Sequence, residues 1–329
     1  MSAALFVLSG SLALLLFNIE RKAFDPETYQ RAFDAQNLYE RTPAILAEIL
    51  VQSMSEDAGE SAILLRALSK EDWERSIRSL IPPEELKTVT DQILDSIFAY
   101  LNNRSDSASL SLIPFKHKLT SEAGVNAVLT LLEAYPLCTP EQMMQMAFNG
   151  IEGNELPLCN PPAEVRGLIT PLIEAQLQAV SITLPNELTL IPGTQSGTAD
   201  DPRIPLNRFR LGVVLLPLVP LGLLFLLSIL AIRTFTDWLK WWGWTFAITG
   251  GISSILAGFG ATVLGRLIWL VLQQAQNPVS FILLDALGET INAVAQQILK
   301  PVVLEGLMLV AVGVGMIVVK SFISRRSAC

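Results

Sequence analysis

The chain has little from which a reactive centre is usually built. It contains one histidine, His117, which lies between Lys116 and Lys118 in a pattern that predicts a solvated surface. A zinc cluster based on several histidines is therefore excluded within one chain. The sequence also has no P-loop, no G-x-S-x-G and no dinucleotide fingerprint. We expect no metal site, no cofactor and a non-enzymatic protein.

Charged residues are also scarce. They make up 16% of the chain, against about 25% in ordinary soluble domains, while hydrophobic residues make up 51% and the mean hydropathy is +0.45. Residues 19–208 contain 27 acidic and 15 basic side chains. Such an acidic region is a poor partner for nucleic acid, whose phosphates must be neutralised by Lys and Arg. The composition predicts a membrane protein with an acidic soluble domain, with the lipid bilayer as a partner and no nucleic acid.

Four apolar runs predict four membrane spans. The first, 1–18, lacks the basic start and the small-residue cleavage site of a signal peptide, which favours an uncleaved signal anchor over a cleaved one. The other three runs can each cross a hydrocarbon core of about 30 Å, and they lie at about 211–232, 243–265 and 301–320. Pro217 and Pro220 predict a kink in the second span, because proline removes helix hydrogen bonds.

The short loops set the predicted orientation. Arg233 and Lys240 follow the second span, and Lys320, Arg325 and Arg326 follow the last, which favours a cytoplasmic location for both segments. Residues 19–208 then lie outside the cytoplasm. Arg208 and Arg210 oppose this orientation, but long loops are translocated largely regardless of charge.

The fold class predicted is mainly α: a four-span helical membrane protein with a helical extracytoplasmic domain that contains a small β element. Alternating apolar residues over 109–115 and 187–191 predict two short strands that pair in a ribbon. The predicted division is a signal anchor over 1–18, the extracytoplasmic domain over 19–192, a flexible Gly/Ser/Thr-rich tether over 193–208 and a membrane domain over 209–329.

The cysteines agree with this division. Cys138 and Cys159 are 21 residues apart in the predicted outer domain, whereas Cys329 ends the chain on the predicted cytoplasmic side. Disulfides form in oxidising compartments, so we predict a Cys138–Cys159 bridge. Two buried free thiols are the alternative.

Two features of the membrane domain invite a structural interpretation. Small residues recur every four positions at Gly250, Ser254, Gly258 and Thr262, a pattern that lets helix backbones approach closely. Packing against the second or fourth span is the favoured interpretation, and oligomer contact or pore lining is the alternative. Arg266 and Glu305 are expected near the outer face as an ion pair or as snorkelling side chains.

Residues 267–300 form the second outer loop of the predicted topology. Their apolar residues recur at helical spacing, which predicts an amphipathic helix lying on the membrane or beneath the outer domain. A fifth, tilted span is the alternative.

Two pairs of segments carry a resemblance to known sequences. Phe24–Tyr29 with Leu38–Arg41, and Ile81–Glu84 with Phe98–Asn102, resemble the outer domains of uncharacterised bacterial multi-pass membrane proteins. The resemblance implies a bacterial cell envelope and, since that group has no known activity, implies none here.

The functional expectation follows from topology. We expect a membrane-anchored protein whose extracytoplasmic domain binds a protein, lipid or envelope partner, or another copy of itself, in an assembly, scaffold or sensing role at the plasma membrane. The first alternative is a transport or pore component assembled through the small-residue stripe. The second is a membrane enzyme at the outer face, which would have to use Arg266, Asp285, Glu289 and Glu305.

Overall fold

The computed structural model describes residues 2–56, 68–145, 159–193, 201–231, 234–274 and 281–326, and it is mainly helical. Within these ranges the labelled elements are α1 (Ser2–Ala23), α2 (Pro26–Ala35), α3 (Leu38–Glu56), α4 (Lys70–Leu80), α5 (Pro83–Leu101), β1 (Ala108–Ser111), α6 (Ile113–Leu119), α7 (Glu122–Glu133), α8 (Ala163–Thr183), β2 (Glu187–Ile191), α9 (Arg203–Leu215), α10 (Leu218–Ala231), α11 (Phe235–Gln274) and α12 (Phe281–Arg326). Residues 140–145 are also helical.

The two strands form the predicted β element. β1 pairs with β2 in antiparallel orientation, with Leu110 opposite Leu188. The ribbon is thus confirmed, but its first strand ends at Ser111. The predicted strand residues after Ser111 instead open α6, because Pro114 in its first turn has a fixed helical φ and lacks an N–H that a strand would need.

The predicted extracytoplasmic region 19–192 is called the outer domain below after its expected location, and one of its buried clusters lies between α7 and α8. Val125, Leu132, Ile169 and Ile173 are buried there with Cys138 and Cys159. The helix starts follow local sequence signals. Asp25 and Ser121 cap α2 and α7, and Ser69 forms a reciprocal capping box with Asp72 at the start of α4.

Three segments are long and apolar enough to cross a membrane within the part of the chain that the structure describes: Ala3–Ala23, Arg203–Ile229 and Gly288–Ile323. They overlap the first, second and fourth predicted spans. The predicted third span, 243–265, lies inside α11. The second segment is broken between α9 and α10 at Pro217, as the two prolines predict.

The longest helices, α11 and α12, form an antiparallel pair. Gly243 faces Gly313, Gly250 faces Gly306, and Gly260 approaches Leu299. At 1.5 Å per residue the helices are about 60 and 69 Å long, roughly twice the hydrocarbon thickness of about 30 Å. The pair therefore extends well beyond any bilayer that it crosses.

Helix α1 packs on this pair and on α10. Phe6 lies with Leu224, Leu227 and Phe246 in one cluster, and the Phe6 and Phe246 ring centroids are 6.1 Å apart. Further along, Asn18 contacts Glu305. Helix α1 thus runs parallel to α11 and antiparallel to α12.

Two predicted boundaries need correction. Residues 203–208 belong to α9 rather than to the predicted tether over 193–208, since Arg203 is buried on the outer domain. The predicted loop 267–300 is also not a separate element. Helix α11 continues to Gln274, and α12 runs from Phe281 through Pro301 without a break. The helix predicted within this stretch is present as the first part of α12, which packs on α2 and α3.

Candidate functional site

The joint between the outer domain and the membrane helices centres on Arg203. Its side chain is only 2% exposed, and its Nε donates to both carboxylate oxygens of Asp201, at 3.1 and 3.2 Å. Nη1 donates to the Ser105 carbonyl at 3.0 Å, and the guanidinium lies 4.5 Å from the Tyr100 ring centroid. The Asp201 pair is local to the start of α9, whereas the Ser105 carbonyl and the Tyr100 ring belong to the outer domain. Both of these contacts with the buried charge are lost if the two parts separate.

A second arginine makes an equivalent contact two turns further along α9. Arg210 Nε donates to Glu20 at 2.8 Å, and Nη1 donates to the Asn102 side-chain oxygen at 2.8 Å. Its guanidinium lies 4.2 Å from the Phe24 ring centroid. Asn102 follows the last residue of α5, where a cation interacts favourably with the helix dipole. Arg210 therefore joins α1, α5 and α9 at one point.

Three helices of the outer domain are tied together at the opposite end of α5 from this joint. Lys87 donates to Asp34 at 2.6 Å and lies 5.8 Å from the Tyr39 ring centroid, which links α5 to α2 and α3. Burial raises the pKa of the Tyr39 hydroxyl and the pKa of the neighbouring Asp91 carboxyl. The hydrogen bond from Lys87 to the Asp34 carboxylate raises the pKa of the Lys87 amine, so this amine stays charged.

The outer part of α12 supplies a further attachment. Glu289 pairs with Arg41 of α3. Ala286, Ala293 and Ala295 are buried along α12, and this helix packs on α2 and α3. The stretch predicted as an amphipathic helix on the membrane or beneath the outer domain is thus helical and belongs to the helix that contacts that domain.

A cavity of about 560 Å³ lies between α1, α9, α10, α11 and α12. Its walls are mainly apolar and include Phe6, Phe17, Pro217, Leu224 and Phe246. This volume is typical of sites for small organic ligands.

Three polar side chains line the same cavity. Asn18 Nδ2 donates to Glu305 Oε2 at 2.8 Å. Thr249 is 2% exposed, and its hydroxyl oxygen has no hydrogen-bond partner within the described residues. Thr249 adjoins Gly250 and Glu305 adjoins Gly306, where the two backbones touch, so both polar groups lie at the same level of the helix pair.

The small-residue stripe divides between packed and open positions. A Cβ added to Gly250 would lie 2.3 Å from the Gly306 carbonyl oxygen, and the Ser254 hydroxyl donates to the Val303 carbonyl at 3.3 Å. Gly258 has no atom within 4 Å of such a Cβ, and Thr262 is exposed. The first half of the stripe packs on α12.

The Arg266–Glu305 ion pair does not form among the residues described. Glu305 contacts Asn18, whereas Arg266 is exposed. The register of α11 on α12 explains the difference. With Gly250 facing Gly306, Arg266 lies about 15 residues from the level of Glu305, a distance of about 23 Å along the helix.

The Cys138–Cys159 disulfide is confirmed in the structure. It joins the segment before residues 140–145 to the start of α8 and lies in the main core of the outer domain. His117 is exposed, as its flanking lysines predict.

The residues needed for the enzyme alternative are not gathered. Glu289 and Glu305 lie on one continuous helix, about 24 Å apart by their spacing, and contact different elements. The Asp285 side chain lies outside the described part. No group of three or more His, Cys, Asp or Glu side chains able to hold a metal occurs among the residues that the structure describes.

Sequence reasoning missed Asn18, Thr249, Arg203 and Arg210. The usable signals were a polar residue near the end of an apolar run and two arginines at a spacing of seven on one helix face. Comparison of the chain with protein-family models, with characterised proteins and with solved structures gave no match. The resemblance to bacterial multi-pass membrane proteins stays a prediction.

Proposed function

We propose that this chain is a four-span protein of a bacterial plasma membrane that holds residues 19–192 outside the cytoplasm as a rigidly mounted binding module for another envelope protein. The observation that carries the proposal is the double arginine joint. Arg203 and Arg210 bind the outer domain from the helix that enters the membrane. A domain fixed in this way presents its surface at a constant height and orientation, which suits a scaffold or a sensor.

The packing of α11 supports the predicted span 243–265, which brings the number of proposed spans to four. It lies against α1 and along α12 over the predicted span 243–265, and its Trp241 and Trp244 are exposed at the start of that stretch. Tryptophan is enriched at membrane interfaces. With four spans, the connections that carry the outer domain all lie on one side.

The contacts of α1 support an uncleaved signal anchor. Asn18 is 2% exposed and bonded to Glu305, and Phe6 is buried against α10 and α11. Removing α1 would expose these surfaces and take away one wall of the cavity.

The proposed partner surface lies beside the disulfide. Leu137, Met144 and Leu168 are 69%, 60% and 74% exposed, and each adjoins a residue of the buried cluster around Cys138 and Cys159. Large apolar side chains that are exposed to this extent are candidates for a protein contact site.

Thiol accessibility tests the orientation. In intact cells, a membrane-impermeant maleimide should label Cys138 and Cys159 only after reduction, and it should label Cys329 only after permeabilisation. Labelling of Cys329 in intact cells, with Cys138 and Cys159 protected before and after reduction, would contradict the outward orientation.

Distances between two spin labels, measured by pulsed electron paramagnetic resonance, test whether the outer domain is held rigidly on the membrane helices. Spin labels at Thr88→Cys and Lys300→Cys, in a Cys329→Ser background with the disulfide intact, should give one narrow distance distribution. Substituting Arg203 and Arg210 together by Ala should broaden it. Arg208→Ala is the matched control, because Arg208 is exposed on the same helix. A broad distribution in the parent chain would refute the mount.

A photoreactive amino acid tests the partner surface. Placed at Leu168 in living cells it should give one discrete protein adduct, and placed at the exposed Arg31 of α2 it should give none. Absence of adducts at Leu137, Met144 and Leu168 would overturn the proposed partner surface.

A further inference from the structure

We propose that the cavity between the membrane helices is a binding site for a single-chain lipid with a hydroxyl-bearing head, such as a monoacylglycerol. The inference rests on the cavity itself and is independent of the partner surface on the outer domain.

The dimensions fit one acyl chain. The lining residues of α1 extend from Phe6 to Asn18, about 18 Å along the helix axis. One leaflet of the hydrocarbon core is about 15 Å thick. Most of the wall is aliphatic or aromatic, so it can replace the lipid surroundings of a chain without loss of apolar contact.

The cavity also has an entrance from the bilayer. Val214 and Leu221 line it, yet they are 46% and 61% exposed on the outer face of the α9–α10 segment. The helix is interrupted between them at Pro217, and Pro220 follows in the first turn of α10. A chain can therefore enter sideways from the lipid phase, without crossing the water on either side.

The polar end selects the head group. Asn18 already occupies Glu305 Oε2, and no hydrogen bond to Oε1 is formed within the described residues. The buried Thr249 hydroxyl has no partner there either, and an unsatisfied polar group in an apolar site is costly. The two hydroxyls of a monoacylglycerol head can supply a donor to the Glu305 carboxylate and a partner for the Thr249 hydroxyl. A carboxylate head would be repelled by Glu305.

The test uses the full chain in lipid nanodiscs with three photoreactive lipids that carry the same diazirine chain: a monoacylglycerol, a fatty-acid methyl ester and a phosphatidylcholine. The monoacylglycerol should give adducts on cavity residues such as Phe6 and Leu224, and unlabelled monoacylglycerol should compete. The other two lipids should label the outward-facing Phe225 and Phe259 instead.

Variants locate the head group. Thr249→Val and Glu305→Gln should each lower the cavity adduct by about fivefold, the effect of one hydrogen bond. Thr245→Val is the matched control, because Thr245 is equally buried on α11 but bonds to the Trp241 carbonyl outside the cavity.

Two results would overturn the proposal. One is equal cavity labelling by all three lipids, which would show no selection for a hydroxyl. The other is labelling confined to outward-facing residues, which would show no site. Both comparisons are made on the unmodified chain, so they hold even if a variant fails to fold. Neither depends on whether the outer domain binds a protein.

Discussion

The packing around a single residue can be tested where adding or removing one chemical group changes the stability of the protein. Gly250 is one such position, because its Cβ would meet the Gly306 carbonyl oxygen of α12. Gly250→Ala should force the two helices apart and cost about 1–3 kcal/mol of stability, as overpacking usually does. Thermal unfolding in detergent, followed by circular dichroism, measures the change.

Gly258→Ala is the matched control. The same methyl group enters open space there, and alanine favours a helix over glycine by about 1 kcal/mol. The control should unfold at the same temperature as the parent or higher. Equal destabilisation by both substitutions would show that the close approach at Gly250 does not hold.

The capping box at the start of α4 gives a pH dependence. A hydrogen bond from Ser69 lowers the pKa of the Asp72 carboxyl below its ordinary value. A lowered carboxyl pKa contributes stability above the unfolded-state pKa of about 3.9, and the contribution is lost as the pH falls through the folded-state value.

Asp72→Asn should therefore lower the unfolding midpoint at pH 7 more than at pH 3. The expected loss at pH 7 is about 1 kcal/mol, typical of a helix cap. Urea titrations of parent and variant at both pH values test this. An Asp72→Asn effect that is the same at both values would exclude a role for the carboxylate charge.

Among the elements, the disulfide and the ribbon link parts of the outer domain that are far apart in sequence. The bridge closes a loop of 21 residues, and such a closure contributes about 3 kcal/mol in the chain-entropy model. Reduction, or Cys138→Ser, should lower the free energy of unfolding by that amount, and with it the unfolding midpoint. Cys329→Ser is the control and should leave the midpoint unchanged. A reduced protein as stable as the oxidised one would contradict the prediction.

Local sequence patterns predicted most of the helices and strands. The features that the sequence did not predict depend on contacts between residues far apart in the chain. Apolar runs, proline positions and the Ser69 cap are read within one or two helix turns, so they could be found in the sequence. The Arg203–Ser105 contact joins residues 98 apart, Arg210–Asn102 joins residues 108 apart, and Asn18–Glu305 joins residues 287 apart. No local pattern selects one partner over the many others available.

The predicted tether shows the same limit. Its composition is that of a flexible segment, but composition does not reveal that Arg203 contacts the Ser105 carbonyl and the Tyr100 ring of the outer domain. The register of α11 on α12 was equally hidden, because it depends on which glycines face each other. That register separates Arg266 from Glu305.

At the scale of the whole molecule, the arginine joint should make the outer domain and the membrane helices unfold together. We expect the parent chain to show a single unfolding transition in two measurements. One is tryptophan fluorescence, which reports mainly on α11, and the other is proteolytic cleavage within α8. Replacing Arg203 and Arg210 by Ala should split this transition into two, with α8 exposed first. Two separate transitions in the parent chain would show that the parts are not coupled.

The position of α1 also bears on biosynthesis. This helix is synthesised before α12, so Asn18 meets Glu305 only when α12 has been made. Until then one amide hydrogen is bonded to the Leu14 carbonyl, while the other lacks its acceptor, which is costly in hydrocarbon. An unfinished or misassembled chain therefore leaves a polar group unpaired that the completed fold pairs.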